Sequence, residues 1–155
     1  MLTEQFKDAG SCGVGVIIRN EEGNLMGTMS KNIPLPLGAL EVEAMVADEG
    51  IRLAKDLGLK DVIIEGDAQV VMSTLAQSDY IPSSIQKIIE GSKKCLQHFH
   101  VWKANHIYRN GNVAAHLLAR YACNVTNSVI WVEDTPPMIY DQVCADVSFS
   151  GLIPN

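Results

Sequence analysis

Two carboxylates in this 155-residue chain stand where separate elements can bring them together. Glu43 falls on the first predicted helix, and Asp67 falls where an apolar strand gives way to a helix. Open α/β sheets place their sites at the ends of parallel strands. Acidic side chains converging there from different segments can trap divalent cations, which bind hard oxygen donors. Each residue also has a plainer role open to it. Asp67 can cap the helix that follows, its short acceptor satisfying free N–H groups, and Glu43 can be a solvated helix charge. His98-Phe99-His100 and His106 invite a zinc assignment, but no cysteine is placed to complete a tetrahedral set, which favours structural histidines. Lys87, Lys93 and Lys94 on one predicted helix, with Lys103 and Arg109 further on, are candidates for contact with a nucleic-acid backbone or simply solvated lysines.

The elements that must position these groups follow from hydrophobic period and turn chemistry. Residues 13–19 read as a strand, 20–24 as a turn and 25–31 as the returning strand, with 2–8 a weaker first strand. Helical spacing runs from Leu40 to Leu57 and stops at Gly58, a C-terminal cap. On that helix Glu43, Ala47, Gly50 and Ala54 share a stripe whose small residues allow close approach to a sheet. Asp61–Glu65 is a short, almost unbroken apolar strand, the pattern expected when both faces are covered. Strand, helix and strand in that order imply a parallel crossover. A short helix (68–76), a longer one (83–98), a strand (101–108) ended by Arg109-Asn110-Gly111, and a helix (113–122) with Asn112 as N-cap complete the pattern. After Cys123 come the apolar run Val129-Ile130-Trp131-Val132 and a tail with apolar anchors, expected to pack on the domain.

Composition sets the outer bounds. With 47% apolar and 19% charged residues the chain is an ordinary globular domain, long enough to bury roughly two-thirds of its unfolded surface. A net charge of −6 argues against coating nucleic acid by bulk charge, though not against local contact beside a metal that neutralises carboxylates. No apolar run can cross a bilayer and the N-terminus lacks a secretion signal, so an intracellular protein is expected, cytoplasmic or nuclear, monomeric and without membrane contact. Cys12, Cys95, Cys123 and Cys144 lie far apart, consistent with reduced structural thiols.

Several blocks then occur in order: Gly13-Val14-Gly15-Val16-Ile17-Ile18-Arg19-Asn20; Glu43-Ala44 with Glu49-Gly50-Ile51-Arg52-Leu53-Ala54; Ile64-Glu65-Gly66-Asp67; and His106-Ile107-Tyr108-Arg109 with Asn112, Ala115-His116 and Leu118-Ala119. Together they resemble the ribonuclease H family, specifically the plant, retroelement-derived (reverse transcriptase-like) domains, over roughly Gly13 to Ala122. The resemblance implies an α/β fold with a five-stranded mixed sheet, three antiparallel strands followed by parallel ones, flanked by helices. It also implies a domain over 1–122 and an extension over 123–155. The implied activity is hydrolysis of the RNA strand of RNA–DNA hybrids with two magnesium ions, manganese being the alternative. Such ions, about 4 Å apart, activate the attacking water and steady the leaving oxygen.

Carried over residue by residue, Glu43 and Asp67 become catalytic metal ligands. Lys87, Lys94, Lys103, Arg109 and Asn112 become hybrid contacts, made mainly to phosphates and 2′-hydroxyls. The family's first-strand Asp has no clear counterpart, because its spacing falls near Thr3 or Glu4. Asp8-Ala9-Gly10 is the nearest lookalike but leaves a very short connection to Gly13. Three possibilities stand: the ligand is lost, Asp8 or Glu4 substitutes, or the true start lies upstream. His116 occupies the place of a fourth carboxylate. An imidazole suits manganese better than magnesium, and it can also serve proton transfer or product release. A catalytically inactive module that binds nucleic acid or protein is the competing expectation. A dinucleotide-binding enzyme is disfavoured, since the glycines sit in a hairpin rather than between strand and helix.

Overall fold

The computed structural model describes residues 2–8, 11–20, 22, 24–34, 38–77, 80–108 and 113–142, with the backbone alone for 2–8, 11 and 123. Three strands, β1 (Leu2–Asp8), β2 (Ser11–Arg19) and β3 (Leu25–Pro34), form an antiparallel meander. The β2–β3 turn is held by Asn20, whose side-chain oxygen accepts from the backbone N–H groups of Glu22 (3.0 Å) and Asn24 (2.9 Å), as turn-forming Asn residues do. Next come α1 (Ala39–Asp56), β4 (Asp61–Gly66) and α2 (Gln69–Ala76). A 3₁₀ turn at Ser83–Ile85 then leads into α3 (Gln86–Leu96), followed by β5 (Val101–His106) and α4 (Val113–Tyr121). β6 (Ser128–Val132) is the last strand.

The strands form one sheet in the order β5-β4-β1-β2-β3-β6, with β1, β4 and β5 mutually parallel and the rest antiparallel. The expected five strands are present, and the run around Ile130 adds a sixth along β3. Gly58 ends the α1 region with φ of +75°, a conformation that favours glycine.

Alternation along β2 sorts the core. Val14, Val16 and Ile18 face a large cluster with α1, α2 and α3, whereas Ile17 joins Ala114, Ala115, Leu118 and Ile139 under α4. A fully buried Ile or Leu in either cluster contributes roughly 1.5–3 kcal/mol. One expectation is corrected here. β4 is not covered on both faces: Val62 and Ile64 are buried, but Ile63 between them is 50% exposed. The cause is helix length and placement, because the nine-residue α4 lies over β1, β2 and β3 and does not extend across β4. Among the described residues, no helix is long and apolar enough to cross a membrane.

Candidate functional site

Asp67 follows directly on β4, whose last residue Gly66 pairs with Thr3 of β1 on one side and His106 of β5 on the other. The Ile107 N–H donates to the Gly66 carbonyl at 2.9 Å and extends that pairing past the strand. Asp67 therefore stands at the carboxyl end of a central parallel strand, where an α/β sheet opens. The helix cap after it is Ala68, and α2 has no side-chain cap. The capping role open to Asp67 from sequence is thus not the one it plays, and its half-buried carboxylate is left over the strand end.

Glu43 is half-buried on α1, which packs against β1, β2 and β4. Two polar clips hold that helix. Lys31 of β3 is ion-paired with Glu49, and the Ser92 hydroxyl of α3 donates to Asp48 at 2.7 Å. The Arg52 Nε donates to the other Asp48 oxygen at 2.7 Å, and this hydrogen bond and charge raise the Arg52 pKa above its ordinary value.

His116 comes from the opposite face of the sheet, on α4. At Gly13 and Gly15 that helix sits against β2 with no room for a side chain between. A Cβ at Gly15 would lie 2.1 Å from the Ala115 carbonyl oxygen, and one at Gly13 would lie 2.2 Å from that of Ala119. Gly13-Val14-Gly15 is accordingly a seat for α4, the helix that carries the half-buried His116.

Among the described residues no three His, Cys, Asp or Glu side chains form a group able to hold a metal ion, so Glu43, Asp67 and His116 do not make one by themselves. The side chain of Asp8 lies outside the described residues. Its backbone pairs with Ser11 at the hairpin end, five positions past Thr3 and therefore about 16 Å beyond the β4 terminus. Lys87 and Lys94 are exposed on α3. Lys103 alternates with Trp102 and Ala104, which pack towards the helices, and so projects from the other face of β5. These three lysines do not form one patch. Arg109 and Asn112 lie outside the described residues. Of the remaining histidines, His98 Nδ1 lies 3.2 Å from the Cys95 carbonyl and His100 Nδ1 lies 3.6 Å from Asp61.

Two features are additional to the sequence-derived site. An open groove of about 510 Å³, lined by Gln69, Val70, Ser73, Gln77 and Tyr80 among others, starts two residues after Asp67. Its sequence signal is the spacing of Gln69, Ser73 and Gln77, four apart and hence on one helical face. At the end of β5, His106 and Tyr108 meet edge to face with ring centroids 5.5 Å apart.

Against this geometry the relatives can be placed. A family model described as reverse transcriptase-like matches residues 4–122. The chain belongs to the reverse transcriptase-like family. No curated protein matches it in sequence at a significant level. Among solved structures it is similar to RNase H1 from the halophilic archaeon Halobacterium salinarum NRC-1, with TM-score 0.72, 19% identity, and 79% of this chain and 95% of that one covered. The N-terminal RNase H domain of Rv2228c from Mycobacterium tuberculosis, solved as a maltose-binding-protein fusion, gives TM-score 0.70 and 15% identity, covering 79% and 90%. LC11-RNase H1 in complex with an RNA/DNA hybrid gives 0.67 and 17%, covering 79% and 94%. At these identities the similarity establishes the RNase H-like fold of this family member.

Proposed function

We propose that this family member grips RNA–DNA hybrids and hydrolyses their RNA strand. The observation that carries the proposal is Asp67: a carboxylate at the open end of β4, released from capping duty, with a groove lined by Gln69, Val70, Ser73 and Tyr80 beginning two residues further along the chain. The hybrid in one fold neighbour and the family membership support the substrate class.

The donors suit a hard divalent cation in kind. Glu43 and Asp67 offer carboxylate oxygens of the sort magnesium prefers, and a third carboxylate from β1 would complete the set. The backbone register supports Glu4 for that place over Asp8, since Glu4 follows the Thr3–Gly66 pair directly. When bound, such a metal activates water and steadies the departing oxygen. The rest falls to the chain's own groups. Gln69, Ser73 and Gln77 present hydrogen-bonding groups to a backbone laid along α2, Tyr80 offers a ring for a base or sugar, and His116 approaches from α4 to move a proton. We further assign residues 1–122 to the domain and 123–155 to an extension that includes β6 and the buried Ile139.

Binding without cleavage is favoured by one observation: no aspartate occupies β1 beside the β4 terminus, where the register places Thr3 and Glu4. The two alternatives separate in one assay of a labelled hybrid, in magnesium and then manganese, beside Asp67→Asn. Cleavage of the RNA strand that disappears in the variant is expected. Tight binding with no cleavage in either metal assigns the domain to recognition alone, and neither binding nor cleavage sinks both.

A further inference from the structure

The groove along α2 is built from groups of one chemical kind. Gln69, Ser73 and Gln77 follow one another at intervals of four on one helical face, and Tyr80 stands beyond them. No described residue that lines the groove is charged. Thr74, buried in its floor, is already satisfied, its hydroxyl donating to the Val71 carbonyl at 2.8 Å. The side chains of Gln69, Ser73, Gln77 and Tyr80 are exposed.

Amide and hydroxyl groups each donate and accept hydrogen bonds. A phosphate only accepts, and a surface shaped for it supplies Lys or Arg to neutralise it. The group on a hybrid that donates and accepts without charge is the ribose 2′-hydroxyl, and it belongs to the RNA strand alone. We infer that the α2 groove reads the 2′-hydroxyls of the RNA strand through Ser73 and Gln77, with the Tyr80 ring against a sugar or base, and so sets a preference for RNA over DNA. This role rests on hybrid recognition as proposed above and adds the place where strand identity is read. From Gln69 to Gln77 the helix rises ~12 Å. At ~3.4 Å per nucleotide of strand, that length covers about three to four nucleotides. Because no phosphate is neutralised there, this part of the binding releases no counterions and is insensitive to salt.

The test is fluorescence anisotropy of the full chain in metal-free buffer, with a labelled RNA–DNA hybrid and a DNA duplex of the same sequence, each across potassium chloride concentration. The parent is expected to bind the hybrid about tenfold more tightly than the DNA duplex. Ser73→Ala combined with Gln77→Leu is expected to weaken hybrid binding about tenfold, to move DNA-duplex binding by less than about twofold, and to leave both salt slopes unchanged. Ser73→Lys turns the groove towards phosphates, so the slope is expected to steepen by about 1 and the preference for the hybrid to shrink. Both positions are exposed, and urea unfolding at the parent midpoint checks that each variant is folded. Equal weakening on hybrid and DNA duplex, or a shallower slope in the double variant, gives the groove to phosphates and overturns the inference while hybrid recognition stands. Unchanged hybrid affinity in the double variant overturns it in the same way. A parent that binds no hybrid sinks the proposed function and this role with it.

Discussion

Asp67 and Gly15 show how much a single position decides in this protein. Because Ala68 and not Asp67 occupies the cap of α2, Asp67→Asn removes charge without removing a cap. Its unfolding free energy in urea is expected to stay within about 0.5 kcal/mol of the parent, where loss of a capping side chain costs about 1 kcal/mol. On the proposed function, hydrolysis of a labelled hybrid is expected to fall by about 100-fold or more, the effect of losing a carboxylate that would hold a metal worth several kcal/mol in the transition state. Hybrid affinity, read by fluorescence anisotropy, should change little. Gly15→Ala is the opposite case. The new methyl would meet backbone, the Ala115 carbonyl oxygen at 2.1 Å, and no side-chain rotation relieves it. Urea unfolding is expected to show a loss of at least about 2 kcal/mol. A change under 0.5 kcal/mol would mean that α4 rides higher on β2 than the structure shows.

Among the elements, α1 carries Glu43 and is fixed by clips of unequal strength. Ser92 is fully buried and its hydroxyl donates to Asp48 across the α1–α3 contact, so Ser92→Ala leaves a half-buried carboxylate short of a partner. The expected cost is about 1–2 kcal/mol by urea unfolding. Arg52 engages the same carboxylate from an exposed position on the same helix, four residues away. Arg52→Ala is therefore expected to cost only about 0.3–0.5 kcal/mol, and that loss should shrink further in 1 M salt. If both variants lose equally, the surface ion pair and not the interhelical hydroxyl holds the helices together.

For the whole molecule, charge distribution would govern how the proposed hybrid substrate is held. The chain is acidic overall, and Lys87 and Lys94 face away from Lys103, so few phosphates can be neutralised at once. Hybrid binding followed across potassium chloride concentration is expected to give a log–log slope of only about −2 to −4. A slope steeper than about −6 would reveal a continuous basic track and displace the α2 groove as the main contact. The order of the first five strands and the four helices, and the carboxylate at the end of β4, were legible in the sequence. Hydrophobic period and turn chemistry are local properties, so residues 13–19 declare a strand and Asn20 its turn without a partner. What only the tertiary structure decided is non-local. A five-residue run such as Ser128–Val132 says nothing of which edge it joins, and Ile63 looked buried because nothing in its neighbours tells how far α4 reaches. The spacing of Gly13 and Gly15 was visible, but its meaning required the helix that lies on them, since close packing is a property of two surfaces and the sequence near either one describes only half of the contact.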